Sequence, residues 1–286
     1  MKIRIDKNAN YKAIFFNGKT IRQKISLNSP ISAPKFPEIE DVAINDKCFA
    51  NCSYCYTSAT NKGKNFDSIV DKANEVWGSL DKGLRPFQIA IGGAGESTIH
   101  PNWIDFVKTV KSLGITPNYT TNGMHLSDDI LKATEDYCGG VALSFHPHIP
   151  KIFERAADKL IKINTKLNFH IIIGEDESLD NLKNIFEKYK DNVEYFVLLP
   201  YQNIGRAKKV DCDKNWKNLF EWLATMPEMR IKQFAFGALF YEYLNKNEGN
   251  IGIDINIYEP EIYSGYRIFD QSYNKIRKSS YNLEFK

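Results

Sequence analysis

Short apolar runs alternate with amphipathic stretches along most of this 286-residue chain, from Asp41 onward. The runs have the length of strands, and the stretches between them repeat apolar residues at the 3.6-residue period of a helix. The first such stretch, which ends before Gly83, has apolar residues at Ile69, Val70, Ala73, Val76, Trp77 and Leu80. Because alternating strands and helices favour a parallel sheet with right-handed crossovers, the pattern predicts an α/β barrel or partial barrel.

The predicted strands number eight along the chain. They are Asp41–Ile44, Phe87–Ile91, Ile115–Thr120, Val141–Phe145, Leu167–Ile173, Glu194–Leu199, Ile231–Phe236 and Ile251–Ile257. The first six belong to a (βα)6 core, and the last two either complete an eight-stranded barrel or form an extension. We therefore divide the chain into residues 1–37, the core 38–210, and a C-terminal extension of the barrel, 211–286.

An N-terminal β-hairpin is predicted ahead of the core. Tyr11–Phe16 and Lys19–Gln23 have strand character and flank Asn17-Gly18, a pair that suits the positive φ angles of a type I′ turn. We expect this hairpin to cross the barrel end or to dock a partner. The proline-containing stretch Ser26–Pro37 then predicts an extended linker.

Charge and hydropathy exclude several classes of protein. With 38 Lys and Arg against 35 Asp and Glu, the net charge of +3 is too balanced to indicate a nucleic-acid or membrane partner. No stretch has the apolar length of a membrane span or the pattern of a signal peptide. We therefore expect a cytoplasmic protein, in a reducing compartment that suits free thiols.

Cys48, Cys52 and Cys55 form a C-x3-C-x2-C run directly after the first predicted strand. Three thiolates on one loop can hold three irons of a [4Fe-4S] cluster and leave the fourth iron open to a small molecule. Structural zinc would need four ligands in close pairs, and the next cysteine, Cys138, lies far downstream and unpaired. Five cysteines without a compact framework also make disulfides unexpected.

Two further motifs fall at predicted strand ends. The segment from Gly92 to Glu96 reads Gly-Gly-Ala-Gly-Glu after the second strand, and the segment from Thr120 to Gly123 reads Thr-Thr-Asn-Gly after the third. In a parallel barrel, chemistry is carried where strands end and the following loops begin. Glycines let the backbone approach a ligand, and Glu96 suits an ammonium. Phosphate binding is less favoured because the Lys-Ser/Thr of a P-loop is missing.

On these residues the chain resembles the radical S-adenosylmethionine (SAM) superfamily, over about Glu38 to Ala207. Its members carry C-x3-C-x-aromatic-C, matched here by Tyr54 before Cys55, a Gly-Gly-x-Glu type motif, which is looser here, and a Thr-Asn-Gly strand end. The resemblance implies a radical SAM partial TIM barrel with one [4Fe-4S] cluster and SAM as cofactors. It also implies an external reductant of flavodoxin or ferredoxin type.

The reaction implied by the resemblance is the reductive cleavage of SAM to methionine and a 5′-deoxyadenosyl radical, which abstracts a hydrogen from a peptide or small metabolite. The same resemblance assigns the metal ligands Cys48, Cys52 and Cys55. It assigns SAM contacts to Tyr54, Gly93, Glu96, Thr121, Ser144, Asn168 and Leu199. Some relatives carry lysine where this chain has Asn168.

Substrate residues are expected at or just after the strand ends. The candidates are His146, His148, Glu175, Asp176, Tyr201, Asn203, Arg206, Asp254 and Glu259. Cys212 is the candidate catalytic residue, a thiol that donates a hydrogen atom to a substrate radical, as in radical epimerases. No cysteine cluster follows Cys212, so auxiliary clusters of the SPASM type are not expected.

Two alternatives remain open from the sequence. One is a viperin-like radical SAM enzyme that acts on a nucleotide. The other is a non-enzymatic module in which a metal stabilises an interaction surface; the two glycine-containing motifs argue against it because such a module has no need of them.

Overall fold

The central feature of the fold, seen in a computed structural model, is a nine-stranded sheet in which seven parallel strands form a curled half-barrel. The structure describes residues 1–29, 36–236 and 240, together with the backbone of four strands between 255 and 285. The seven strands, neighbours in chain order, are β4 (Ile39–Ala43), β5 (Gln88–Ile91), β6 (Thr116–Thr121), β7 (Gly140–Ser144), β8 (Lys166–Ile173), β9 (Tyr195–Pro200) and β10 (Phe234–Phe236). The predicted partial barrel is confirmed, with a seventh strand beyond the six-unit core.

The described part of the segment Ile251–Ile257 does not join the barrel sheet. It belongs to β11 (Ile255–Tyr258), which pairs antiparallel with β14 (Asn282–Phe285) in a separate two-stranded sheet. The strand beside β4 is instead β12 (Tyr263–Ile268), which runs parallel to it, and β13 (Tyr273–Lys278) pairs antiparallel with β12.

Helices cover the outer face of the sheet. They are α1 (Ile69–Ala73), α2 (Trp103–Ser112), α3 (Asp128–Tyr137), α4 (Pro150–Leu160), α5 (Ser178–Tyr189), α6 (Asp213–Ala224) and α7 (Glu228–Ile231). The first helix is shorter than its apolar pattern predicts, because the chain continues from α1 as a π-helical turn, Asn74–Gly78. Trp77 in that turn is fully buried and donates its indole N–H to Glu40 at 3.1 Å. Among the described residues, no helix is long and apolar enough to cross a membrane.

Strand β8 shows how sequence alternation builds the two faces of the sheet. Phe169 is fully buried under the helices, with its ring centroid 4.8 Å from that of Phe153 on α4 and 5.2 Å from that of Tyr189 on α5. Asn168 and His170 alternate with this buried set and are only partly covered. Since successive side chains of a strand point to opposite faces, these two line the concave side of the barrel.

A small antiparallel sheet precedes the barrel. It contains the predicted hairpin, β2 (Tyr11–Phe16) and β3 (Lys19–Lys24), and one additional strand, β1 (Lys2–Asp6). Phe15 stacks on Phe87, just before β5, at a centroid distance of 5.7 Å, and Lys166 at the start of β8 donates to the carbonyl of Asn17 at 2.9 Å. The sheet thus lies against the amino-terminal end of the barrel strands and leaves their carboxyl ends to other residues.

Candidate functional site

The cysteine loop, residues 46–60, follows β4 at the carboxyl end of the barrel. Cys52 is buried, whereas Cys48 and Cys55 are half-buried. Burial raises the pKa of Cys52 to about 11, and the neighbouring charges of Cys48 and Cys55 act in the same direction. The three sulfur atoms therefore lie within electrostatic reach of one another, and a positive metal centre would be needed to hold them all as thiolates.

The donor set of the cysteine loop can be compared with the needs of two metal centres. Within the described ranges, no three Cys, His, Asp or Glu side chains are grouped closely enough to hold one metal ion. A structural zinc ion requires four such ligands around a single point. In a [4Fe-4S] cluster, each thiolate binds a different iron. Three thiols on one loop therefore match a cluster that has one open iron, whereas they leave a zinc ion without its fourth ligand.

The glycine-rich segment from Gly92 to Glu96 is in direct contact with the cysteine loop. The Tyr56 hydroxyl donates to the carbonyl of Gly93 at 2.9 Å, and the Thr57 hydroxyl donates to the carbonyl of Ala94, also at 2.9 Å. A Cβ atom at Gly95 would lie 2.5 Å from the carbonyl oxygen of Lys47. Gly95 is therefore needed for close approach of the two loops.

Glu96 joins this segment to the end of β6. Its Oε1 accepts the hydroxyl protons of Thr98 at 2.7 Å and Thr121 at 2.9 Å, and the Thr98 backbone N–H at 3.3 Å. Its Oε2 accepts the backbone N–H of Asn122 at 2.7 Å. Of these four hydrogen bonds, three are accepted by Oε1 and one by Oε2, so Oε2 is the less crowded of the two oxygens.

Asn122 and Asn45 complete the connections between the loops. The side-chain amide of Asn122 donates to Cys48 Sγ at 3.6 Å, which brings the third motif to the first cysteine. Asn45, which is buried, donates to the carbonyl of Glu96 at 2.7 Å. The sequence reasoning missed Asn45; its one signal is a polar residue directly after a buried strand.

Tyr54 is enclosed by aromatic side chains. Its hydroxyl lies 2.8 Å from Nδ1 of His146, and its ring is 6.1 Å from the His146 ring and 6.5 Å from the Tyr201 ring. Burial, with a contribution from His148, lowers the pKa of His146 to about 4, so the imidazole is neutral and can accept the hydroxyl proton. The same Nδ1 lies 3.6 Å from Cys52 Sγ. This cluster borders a cavity of about 290 Å³ that continues to Glu175 and the start of α5.

The positions predicted on β7, β8 and β9 lie at different heights in the barrel. Ser144 ends β7 and is in register with His170, and Leu199 on β9 is in register with Ile172. Asn168 lies two residues closer to the amino end than His170, and its Oδ1 is buried with no hydrogen-bond partner among the described residues. His170, which the sequence reasoning missed, is therefore the β8 residue level with Ser144. Burial lowers its pKa to about 4.

Two of the predicted substrate residues contact the cysteine loop instead. Arg206 donates to the carbonyls of Cys52 and Ala59, and a ring nitrogen of His148 lies 2.7 Å from the carbonyl oxygen of Ala50. These contacts hold both residues against the loop backbone, and their role in substrate binding stays a prediction.

Apart from His146, which contacts Tyr54 and Cys52, the other candidates fall into three groups. Glu175 and Asp176 are exposed at the rim of the cavity. Tyr201 and Asn203 hold their own loop, through the carbonyls of Lys208 at 3.2 Å and Val210 at 3.1 Å, respectively. The last two candidates, Asp254 and Glu259, lie outside the described residues.

Cys212 lies directly before α6 and is buried beside the aromatic cluster that contains Cys52, Tyr54 and Tyr201. Burial, reinforced by the charges of Asp211 and Asp213, raises the pKa of its thiol to about 11. A Cβ atom at Gly174 would lie 2.8 Å from the sulfur, so the thiol is closely covered on that side. Cys212 is accordingly a protonated thiol at neutral pH.

Comparison with solved structures shows the fold. Streptococcus suis SuiB bound to the precursor peptide SuiA superposes with a TM-score of 0.62 at 14% identity, over 82% of this chain and 58% of that chain. SuiB bound to S-adenosylmethionine gives 0.63 at 14% identity, over 82% and 59%. The enzyme anSMEcpe, with bound AdoMet and the Cp18Cys peptide, gives 0.52 at 16% identity, over 65% and 60%. These are radical SAM enzymes, and the chain has their fold.

Sequence comparison is more limited. A tungsten-containing aldehyde ferredoxin oxidoreductase cofactor-modifying protein from Pyrococcus furiosus is 30% identical over 89 residues, which are 31% of this chain and 25% of that protein. No protein-family model matches the chain. The chain thus spans about three fifths of the length of the solved structures and a quarter of the curated relative.

Proposed function

We propose that this chain is a radical SAM enzyme in which Cys48, Cys52 and Cys55 hold one [4Fe-4S] cluster. The observation that carries the proposal is the network that joins three strand-end loops. The loop after β4 bonds to Gly93, and the loop after β6 bonds to Cys48. When bound, the cluster and SAM would supply a 5′-deoxyadenosyl radical, the chemistry typical of enzymes with this fold.

SAM would be held by groups on the carboxyl ends of β5 to β9. Glu96 and Gly93, both on the segment after β5, are the proposed contacts for the SAM ammonium, and the less crowded Oε2 is the oxygen of Glu96 that suits it. The Thr121 hydroxyl donates to Glu96 and accepts the N–H of Gly123 at 3.0 Å, so we assign it the task of orienting Glu96. Tyr54 and Leu199 remain the proposed contacts for adenine, and Ser144 remains one for the methionine moiety and ribose. Asn168 stays the proposed SAM contact on β8.

The aromatic cluster around Tyr54 would keep water away from the reacting atoms. Tyr54 and Tyr201 are both buried, and the neutral His146 adds no charge beside them. A dry site protects a reactive intermediate from side reactions. Cys212 borders the same cluster, and its protonated thiol is our proposed hydrogen donor to a substrate radical.

We propose a peptide substrate, delivered to the cavity that lies beside Tyr54. Support comes from the structural neighbours, since SuiB is bound to a precursor peptide and anSMEcpe to a Cp18Cys peptide. A small molecule is the second candidate, because the curated relative is described as a cofactor-modifying protein. An external reductant of flavodoxin or ferredoxin type would donate the electron that the reaction requires.

We also propose that residues 38–210 form the radical SAM core and that residues 211–286 extend it. The pairing of β10 with β9 and of β12 with β4 supports this division, because both strands extend the central sheet at its two edges.

The test is anaerobic reconstitution with iron and sulfide, then reduction in the presence of SAM. We expect a brown protein with about four irons per chain and release of 5′-deoxyadenosine. A protein that takes up zinc but no iron and leaves SAM intact would contradict the proposal. Parallel reactions with nucleoside triphosphates test the alternative of a nucleotide substrate. Faster release of 5′-deoxyadenosine in their presence would favour a nucleotide over a peptide as the substrate.

A further inference from the structure

Arg206 reaches the cysteine loop from the loop between β9 and α6. Its Nε and Nη2 donate to the carbonyl of Cys52 at 3.2 and 2.9 Å, and its Nη1 donates to the carbonyl of Ala59 at 2.7 Å. Its backbone N–H donates to the carbonyl of Cys55 at 3.0 Å. One residue thus binds the backbone at two of the three cysteines and at the far end of the loop.

Gly205 makes this approach possible. Its φ of +65° is in the left-handed region, which favours glycine. A Cβ atom there would lie 2.4 Å from the carbonyl oxygen of Tyr56 and 2.5 Å from that of Cys55. The two loops are in contact along their backbones, so the guanidinium of Arg206 has a fixed position relative to the cysteines.

The guanidinium of Arg206 carries its positive charge without a carboxylate partner among the described residues. Among the described residues, none of the ion pairs involves Arg206, and its guanidinium bonds go to neutral carbonyls. A cluster on three thiolates carries negative charge, which increases when the cluster takes up an electron. A fixed cation beside the loop stabilises the reduced form more than the oxidised form.

We propose that Arg206 is a positioning residue that orders the cysteine loop for cluster binding and that its charge raises the reduction potential of the cluster. Only the second claim, the effect on the reduction potential, rests on the proposed function. The ordering of the loop concerns the protein chain itself and is measurable without iron.

The first experiment measures hydrogen exchange in the iron-free protein. The amides of Cys48, Cys55 and Ser58 donate within the loop and report its order. In Arg206→Met we expect them to exchange about tenfold faster or more, since several bonds from a charged donor are lost. Arg206→Lys keeps the positive charge but loses the planar set of N–H donors of the guanidinium, so we expect an intermediate exchange rate.

Arg85 supplies the matched control. It also donates to three carbonyls, those of Leu80 at 3.0 Å, Leu113 at 2.9 Å and Gly78 at 3.1 Å, but at the amino-terminal end of the barrel. Arg85→Met should leave exchange in the cysteine loop at the parent rate. Parent-like exchange in Arg206→Met, or equal acceleration in both variants, would overturn the positioning role.

The second experiment measures the midpoint potential of the reconstituted cluster by a redox titration followed by electron paramagnetic resonance. We expect a more negative potential in Arg206→Met, a near-parent potential in Arg206→Lys, and no change in Arg85→Met. Full iron content with an unchanged potential in Arg206→Met would overturn the charge effect. A parent protein that binds no iron contradicts the proposed function but leaves the exchange result valid.

Discussion

Oε2 of Glu96 accepts the backbone N–H of Asn122 at 2.7 Å and so joins the ends of two neighbouring barrel strands. Glu96 is 3% exposed, and its other oxygen is used by Thr98 and Thr121. The carboxylate therefore has a structural task in addition to any ligand it binds. A mutation of Glu96 is expected to change two measurable quantities, the stability of the fold and the affinity for SAM.

We predict that Glu96→Gln lowers the free energy of unfolding by about 1–3 kcal/mol, because the amide nitrogen replaces one acceptor oxygen among buried donors. The affinity for SAM should weaken by about 1.5–3 kcal/mol, the range for a lost charge-assisted hydrogen bond. Urea unfolding and equilibrium dialysis measure the two effects. The control is Glu177→Gln, since Glu177 is exposed. If a folded Glu96→Gln protein binds SAM as tightly as the parent does, Glu96 does not contact SAM.

Gly95→Ala should destabilise the fold by about 1–3 kcal/mol, since overpacking forces neighbouring groups apart. The new Cβ would meet the Lys47 carbonyl at 2.5 Å and Asn45 Oδ1 at 2.6 Å. Gly83→Ala is the matched control, because nothing lies within 4 Å of a Cβ there. Thermal unfolding of both variants measures the difference, and equal melting temperatures would contradict the close approach of the two loops.

Replacing Cys48, Cys52 and Cys55 together by alanine should abolish iron binding. The protein should still fold, because these side chains are at the carboxyl end of the barrel and not in its main core. Iron analysis and visible absorbance after anaerobic reconstitution measure the result. Cys138→Ala is the control, and cluster absorbance that persists in the triple variant would rule out these ligands.

Cys212→Ala should cleave SAM at the parent rate yet lose or divert the product, since hydrogen abstraction and radical quenching are separate steps. In the parent, the thiol hydrogen would form the new C–H bond, and the thiyl radical left behind would take an electron from the external reductant and a proton from water. That hydrogen exchanges with water, so product formed in D₂O should carry deuterium. Native product formed at the native rate by Cys212→Ala would show that the thiol is dispensable.

His170→Asn should flatten the dependence of stability on pH between about 4 and 6.5. The folded pKa of about 4 is below the unfolded value of 6.5, so the unfolded state binds more protons in this window. The stability conferred by neutral His170 is present above pH 6.5 and lost as the pH falls through the window, by up to about 3 kcal/mol. Urea midpoints across this range measure the slope. The exposed His125→Asn is the control, and an unchanged slope in His170→Asn would contradict the prediction.

The barrel is predictable from the sequence because its strands are short apolar runs that end at polar or glycine-containing motifs. Each of the first six predicted strands lies within two residues of the observed one, as for Leu167–Ile173 against Lys166–Ile173. The motifs of the site were recognisable for the same reason, since each directly follows a strand. The segment Ile251–Ile257 was ambiguous because an apolar run does not specify which strand it pairs with.

The residues that organise the site were harder to predict. Asn45 and Arg206 act through backbone carbonyls of the cysteine loop and the glycine segment, and a contact with a carbonyl leaves no pattern in the sequence of its acceptor. The resemblance points to Asn168 on β8, and only strand register shows that His170 lies level with Ser144. Register depends on pairing between strands that are distant along the chain, which one sequence does not reveal.

The hydrogen bond from Arg206 to Cys52 joins residues 154 positions apart, which has a consequence for synthesis of the chain. At about 5–20 residues per second, the ribosome needs roughly 8–30 seconds to make that interval. During this time, the three thiols emerge before the arginine that we propose orders their loop. Iron delivered in that interval would meet a loop without its final shape, so the proposed roles place cluster assembly after the synthesis of Arg206.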